Sequence, residues 1–302
     1  MKKLIIDVRL NEYAMRDENP NVPWSPAEIA ADAIECYEAG ATSVHFHGRD
    51  GKTGAAANDF ETYAQIIRGI RSKAPDVLVH STLGYVTHEA AERKIDHILK
   101  LARDPMTRPD IAPVDMATMN VDIYSSEKKA FITDDQVFYN PTRLLQYFTQ
   151  QIQAAGVKTI HTCWNVPCTR TVQAFIEMGL IKGPAYIALL MSESGLLAGH
   201  PGNYKGLAAH LDFLPTNGPI EWIALVYPGS IQPVASMVIA EGGHLSFGLG
   251  DHPYLELGGK PRNADIVRHI VKLARDMGRE IATPEEARAM LGIPQLLKAA
   301  AA

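Results

Sequence analysis

Ala39-Gly40-Ala41-Thr42-Ser43-Val44-His45-Phe46-His47-Gly48-Arg49-Asp50 carries one complete junction between a helix, a strand and a polar loop. Upstream, residues 26–39 hold apolar side chains at helical spacing (Ile29, Ala30, Ala33, Cys36, Tyr37), which packs one face against a wall. Ser25-Pro26 starts that helix with an N-cap and a proline at its first position, and Gly40 stands where a C′ glycine ends it. The run Ser43–Phe46 follows within three residues, as in the βαβ units of a parallel sheet. Side chains alternate along a strand, so His45 and His47 share one face and Val44 and Phe46 the other. The histidine face is expected to be the inside of a barrel.

Working outward, short aliphatic runs alternate with amphipathic stretches from end to end. The strand candidates are Leu4–Val8, Ser43–Phe46, Val77–His80, Asp115–Thr118, Thr159–Thr162, Tyr186–Leu190, Trp222–Val226 and His244–Phe247. Helices are expected near 26–39, 59–72, 88–101, 142–155, 168–179, 204–212, 231–241 and 263–277, with a last one opened by Thr283-Pro284. Eight regularly spaced rounds predict an α/β fold, a (β/α)8 TIM barrel in a single domain over 1–302, with a flexible tail over 294–302. An open dinucleotide-binding sheet fits less well, because Asn11-Glu12-Tyr13-Ala14 follows the first strand where a glycine-rich turn belongs.

The 302 residues are 46% hydrophobic and 21% charged, with a formal net charge of -5 and no basic stripe, which argues against nucleic acid as a partner. The apolar start breaks at Asp7 and Arg9, short of a secretory h-region, and the longest apolar runs are strand-length. A cytoplasmic protein with no membrane partner is expected. Cys36, Cys163 and Cys168 form no CxxC and read as reduced thiols.

In such a barrel the chemistry collects at the carboxyl ends of the strands. The polar groups there are Asn11 and Glu12; His45, His47, Arg49 and Asp50; Ser81 and Thr82; Thr118 and Asn120; and Asp251 and His252. His45 and His47 make half of a divalent metal site, and a catalytic zinc adds a third protein ligand and an open position. Glu12, Asp251, His252 and His161 all qualify as that ligand. The pair lies on the second strand, whereas amidohydrolases carry theirs on the first. Asp251, in a glycine-rich loop, suits a general base, and Gly242-Gly243-His244 reads as a helix C-cap and turn.

The chain also resembles a known family, the β-keto acid cleavage enzymes, over nearly its whole length. The resemblance is carried by Asn19-Pro20 with Val22-Pro23, Ala39-Gly40-Ala41 into His45-Phe46-His47-Gly48-Arg49-Asp50, and Ser81-Thr82. It continues through Met116-Ala117-Thr118, Gly242-Gly243-His244 with Gly248-Leu249, and Ala282-Thr283-Pro284 before Ala287-Arg288. It implies a zinc-bearing barrel, a homotetramer, that condenses a β-keto acid with acetyl-CoA to give acetoacetate and a new acyl-CoA. It further implies zinc on His45 and His47, Asp251, Ser81 and Glu12 as catalytic groups, and Thr118 lining the pocket; Asn120, Thr82 and Ser246, from their places at strand ends, are the further candidates around the substrate.

Two positions depart from the family pattern, which has an arginine partnering the catalytic aspartate where Ser246 stands and a glutamate ligand where Gly250 stands. Glu12, Asp251 and His252 are the candidates to replace the lost ligand. The departures also motivate an alternative, a divergent barrel that binds a small carboxylate or acyl thioester without this turnover. A different metal-dependent lyase or hydrolase stands behind both.

Overall fold

The computed structural model describes residues 2–83 and 91–294. Eight parallel strands close on themselves: β1 (Ile6–Arg9), β2 (Ser43–Phe46), β3 (Leu78–Ser81), β4 (Ile111–Asp115), β5 (Lys158–Cys163), β6 (Ala185–Ser192), β7 (Ile220–Val226) and β8 (His244–Phe247). Each pairs with its chain neighbour, and β8 returns to β1 through Asp7↔Ser246. The TIM barrel expected from the alternation is therefore present.

Helices α1 (Pro26–Glu38), α2 (Phe60–Arg71), α3 (Asp96–Leu101), α4 (Thr142–Ala154), α5 (Val166–Glu177), α6 (Tyr204–Leu211), α7 (Gln232–Ala240), α8 (Asn263–Asp276) and α9 (Pro284–Leu291) surround the barrel. Ser25 and Glu28 form a capping box on α1, and Thr283 and Glu286 form another on α9, so both Ser/Thr-Pro starts hold. Gly40 has φ +111°, which a side chain would strain. The helix expected over 88–101 begins outside the described residues and is seen as a 3-10 turn at Ala91–Ile95 followed by α3. The tail past Pro294 also lies outside them. No helix among the described residues is long and apolar enough to cross a membrane.

The fourth strand is a correction. It runs Ile111–Asp115, ahead of the expected Asp115–Thr118. Pro113 disguises it, since proline removes a ladder donor. The strand tolerates this because it meets β3 only at His80↔Ile111, while five residues pair with β5.

After β4 the chain leaves the barrel as an arm. Met119–Asn120 pairs with Val137–Phe138, and Tyr124–Ser125 pairs with Ala130–Phe131. The bridge Ile123↔Leu196 ties the arm to the loop after β6, so it roofs the carboxyl end of the barrel.

Candidate active site

Alternation along the first three strands sets what faces inward. Asp7 and Arg9 on β1, His45 on β2 and His47 just beyond it, and His80 on β3 with Thr82 after it all line one cavity of about 390 Å³. Ile6, Val8, Val44, Phe46 and Val79 fill the opposite faces and are fully buried.

Glu12 completes a cluster with the two histidines. The candidate ligand atoms of Glu12, His45 and His47 lie within 4.8 Å of one another. Glu12 Oε1 is 3.0 Å from His45 Nε2, and Oε2 is 2.5 Å from His47 Nε2. His45 Nδ1 donates to the His80 carbonyl at 3.1 Å, which leaves the Nε2 lone pair facing Glu12. Burial pushes His45 down to about 4 despite Glu12, so its ring is the neutral form that binds metals. Burial opposes charge on Glu12 as well. Arg9 and both histidines outweigh it and hold the carboxyl well below the ordinary range.

The loop after β1 is held for this purpose. Glu12 has φ +31°, a conformation that is strained for any residue with a side chain. Arg49, buried, donates to the carbonyls of Asn11, Glu12 (2.6 Å), Ala14 and Gly54, so the arginine of the His-Phe-His-Gly-Arg stretch fixes the backbone of the opposing loop. Asn11 clamps His47 from both sides, accepting from its N–H and donating to its carbonyl, each at 2.9 Å.

Arg9 connects Glu12 to Asp251. Its Nη2 lies 2.9 Å from Glu12 Oε1 and its Nε donates to Asp251 Oδ1 at 2.8 Å. Burial, with Glu12 and Asp7 adding repulsion, pushes the Asp251 carboxyl well above its ordinary range even against Arg9. Asp251 Oδ2 has no hydrogen-bond partner among the described residues. Asp251 lines a second cavity of about 590 Å³, which shares Tyr13 and Tyr227 with the first.

Both groups absent from β8 and the loop after it are thus supplied from β1 and its own loop. Ser246 carries no charge and donates instead to Asp7 at 2.8 Å, while Arg9 takes the place beside Asp251. Gly250 carries no carboxylate, and a Cβ there would stand 2.6 Å from Glu12 Cγ and 2.8 Å from Glu12 N. The missing side chain at 250 is what lets Glu12 reach the histidines. Arg9 and Asp7 escape a reading that sees them only as breaks in an apolar run, although their period of two matches that of His45 and His47. His80 escapes for the same reason.

The remaining candidates lie as follows. Thr82 and Ser246 line the first cavity. Ser81 is buried on the opposite face of β3, one position out of phase with His80, and does not line it. Thr118 is exposed, with Oγ1 accepting from Asn140 N at 2.8 Å, and Asn120 is exposed on the arm. His161 alternates with the lining residues Ile160 and Thr162 and so faces away. His252 pairs with Glu256 at 3.1 Å on the surface. His244 serves the barrel floor, accepting from Ile5 N at Nδ1.

Fold and site together define a (β/α)8-barrel enzyme with a two-histidine, one-carboxylate centre at the carboxyl ends of its strands. The chain belongs to the beta-keto acid cleavage enzyme family, whose model matches residues 3–293, and is an acyl-transferring, carbon–carbon bond-cleaving enzyme of that type. The 3-keto-5-aminohexanoate cleavage enzyme of Acetoanaerobium sticklandii is 26% identical over 296 residues, 97% of this chain and 99% of that protein. The 3-dehydrocarnitine:acetyl-CoA trimethylamine transferase of Rhizobium meliloti is 28% identical over 287 residues, 91% of each. Among solved structures, apo ObcA superposes with a TM-score of 0.72 at 15% identity, covering 91% of this chain and 66% of that one, a likeness of fold.

Proposed function

We propose that this enzyme condenses a β-keto acid with acetyl-CoA and releases acetoacetate and a new acyl-CoA, using zinc held by His45, His47 and Glu12. The observation that carries the reading is the cluster itself, two imidazoles and one carboxylate converging within 4.8 Å in the wall of the 390 Å³ cavity. That donor set fits a catalytic zinc with an open position. When bound, zinc supplies Lewis-acid polarisation of the keto acid.

Asp251 is the base. Its raised affinity for protons suits a group that takes a proton and returns it. It removes a proton from C2 of the keto acid, and the resulting carbanion attacks the thioester carbon of acetyl-CoA. A carbon–carbon bond forms and CoA leaves as thiolate. The thiolate then adds to the original C3 carbonyl, the C2–C3 bond breaks with its electron pair on C2, and Asp251 returns the proton there. Arg9 orients Asp251 and holds Glu12 ionised. Ser81, Thr118 and Asn120 line neither of the two cavities, whereas Thr82 and Ser246 line the first, so these two are the expected residues with a substrate role. Family resemblance supports a homotetramer of this 33.0 kDa chain, which light scattering reads directly.

Elemental analysis of purified wild type and of His45→Ala/His47→Ala is the test. About one zinc per chain is expected in wild type and background in the variant, with acetyl-CoA-dependent acyl-CoA formation from a keto acid panel lost in parallel. Full turnover by metal-free protein would sink the reading.

A further inference from the structure

TIM barrels fill their interior with layers of branched side chains. This one leaves part of its axis open. The mid-barrel inward positions on β4, β6 and β8 are Pro113, Ala188 and Ser246, all small, with Asp115 and Leu190 the next inward positions on β4 and β6, and the 390 Å³ cavity continues from the metal-ligand cluster down between them. Its remaining wall there is Ile160, Ile223 and Leu225 on the barrel strands, with Thr162 and Asp115 at the register level of Ala188.

The charges along this wall are already engaged. Arg9 is the single Lys or Arg side chain among the described lining residues, and it is held between Glu12 and Asp251. Asp7 accepts from Ser246 Oγ at 2.8 Å and lies 3.3 Å from His80 Nδ1. Asp115 accepts from Trp164 Nε1 at 3.0 Å, and burial pushes its carboxyl up although Trp164 opposes this. A carboxylate at the far end of a substrate would meet no available cation. An ammonium would meet Asp7, already paired with His80 and Ser246, and Asp115, whose carboxyl burial drives toward its uncharged form. Leaving either charge there unpaired is costly.

We propose that the enzyme selects β-keto acids whose tail beyond the keto carbon is an uncharged alkyl group, seated along the barrel axis over Ala188. This rests on the reading above, in which the keto acid head lies at the Glu12–His45–His47 centre. It departs from the amino-substituted keto acid that names one relative.

Binding tests the seat without turnover. Calorimetry on the zinc-loaded full chain would compare butanoate, pentanoate, hexanoate and heptanoate with adipate and 6-aminohexanoate, which match hexanoate in length but end in a charge. Affinity is expected to rise about fourfold per methylene, and the two charge-ended compounds to bind at least about tenfold more weakly than hexanoate. Ala188→Leu should flatten the series, and Ala188→Val should shorten it if the leucine variant fails to fold. A flat series in wild type overturns the proposal, as does equal binding of adipate or 6-aminohexanoate. An unchanged series in a folded Ala188 variant overturns the place assigned to the tail. Failure to convert 3-oxohexanoate alongside an intact binding series strikes the reaction assigned above and leaves the seat standing.

Discussion

At the amino ends of the strands, Arg279 directs five hydrogen bonds into backbone carbonyls, those of Lys2, Lys3, Ile239, Gly242 and Gly243. At the carboxyl ends, Arg9 points into a cavity and meets side chains, pairing with Glu12 and Asp251 beside the Tyr227 ring. Both arginines are buried in the same barrel. The first has no unfinished business with a ligand and closes the barrel floor by joining the start of β1 to the start of β8. The second holds two carboxylates in different protonation tendencies at one rim, an arrangement that costs stability and makes sense as chemistry. A barrel separates these demands because its two ends are built from different loops.

Floor and rim part most visibly when each arginine is exchanged for an unbranched apolar chain. Arg279→Met leaves two buried and three part-buried carbonyls without their donor and should lower unfolding free energy by about 3–4 kcal/mol. Its kcat/KM per folded molecule should stay at the wild-type value. Arg9→Met should lower kcat/KM by about 100-fold, with zinc retained, because Glu12 still reaches both histidines. Denaturant melts beside steady-state rates separate the two. If Arg9→Met lost stability alone, the rim would be as structural as the floor.

How much of this was legible in the sequence follows from the same contrast. Periodicity exposes the walls, so seven of the eight strands fall close to their expected places and His45 and His47 face the lumen. Pro113 hides β4, since a ladder proline looks like a loop until its neighbours are known. The rim is less legible because its groups come from separate loops. Nothing in Asn11-Glu12-Tyr13 announces φ +31° at Glu12, and nothing in Gly250 says that its vacancy admits Glu12. Arg9 carried a signal, the period of two it shares with Asp7. Ser81 carried the opposite one, being a residue out of phase with His80.

A smaller effect sharpens where floor and rim meet. Asn263 donates to Leu10 O and to Asp32 Oδ2, and accepts from Leu249 N, so it laces the ends of β1 and β8 behind the active site. Burial raises Asp32 to about 7, with Asn263 opposing. A carboxyl whose folded value is raised contributes stability that is full below its unfolded value of 3.8 and is lost as pH rises through about 7. Asp32→Asn should therefore remove a loss of up to about 4 kcal/mol between pH 4 and pH 8. Urea midpoints of wild type and variant should converge at low pH, diverge between about pH 4 and pH 7, and stay apart by a constant amount above that, the variant being the more stable. A constant offset across the whole range would show that folding leaves the Asp32 carboxyl unshifted.

The smallest expected effect decides the third ligand. His252 sits one residue from Asp251 and, by sequence, competes with Glu12 for the metal. Its ring is a third exposed and turned to Glu256 at 3.1 Å, four residues along the chain. Exposed pairs of this kind contribute about 0–1 kcal/mol, so His252→Ala should leave the melting transition and the zinc content unchanged. Glu12→Gln should release zinc, because a neutral amide is a much poorer ligand beside Arg9 than the carboxylate it replaces. The opposite pattern, zinc lost on His252→Ala and kept on Glu12→Gln, would require the loop after β8 to turn inward. Gly250 would then have to give up the close approach to Glu12 that now shapes the rim.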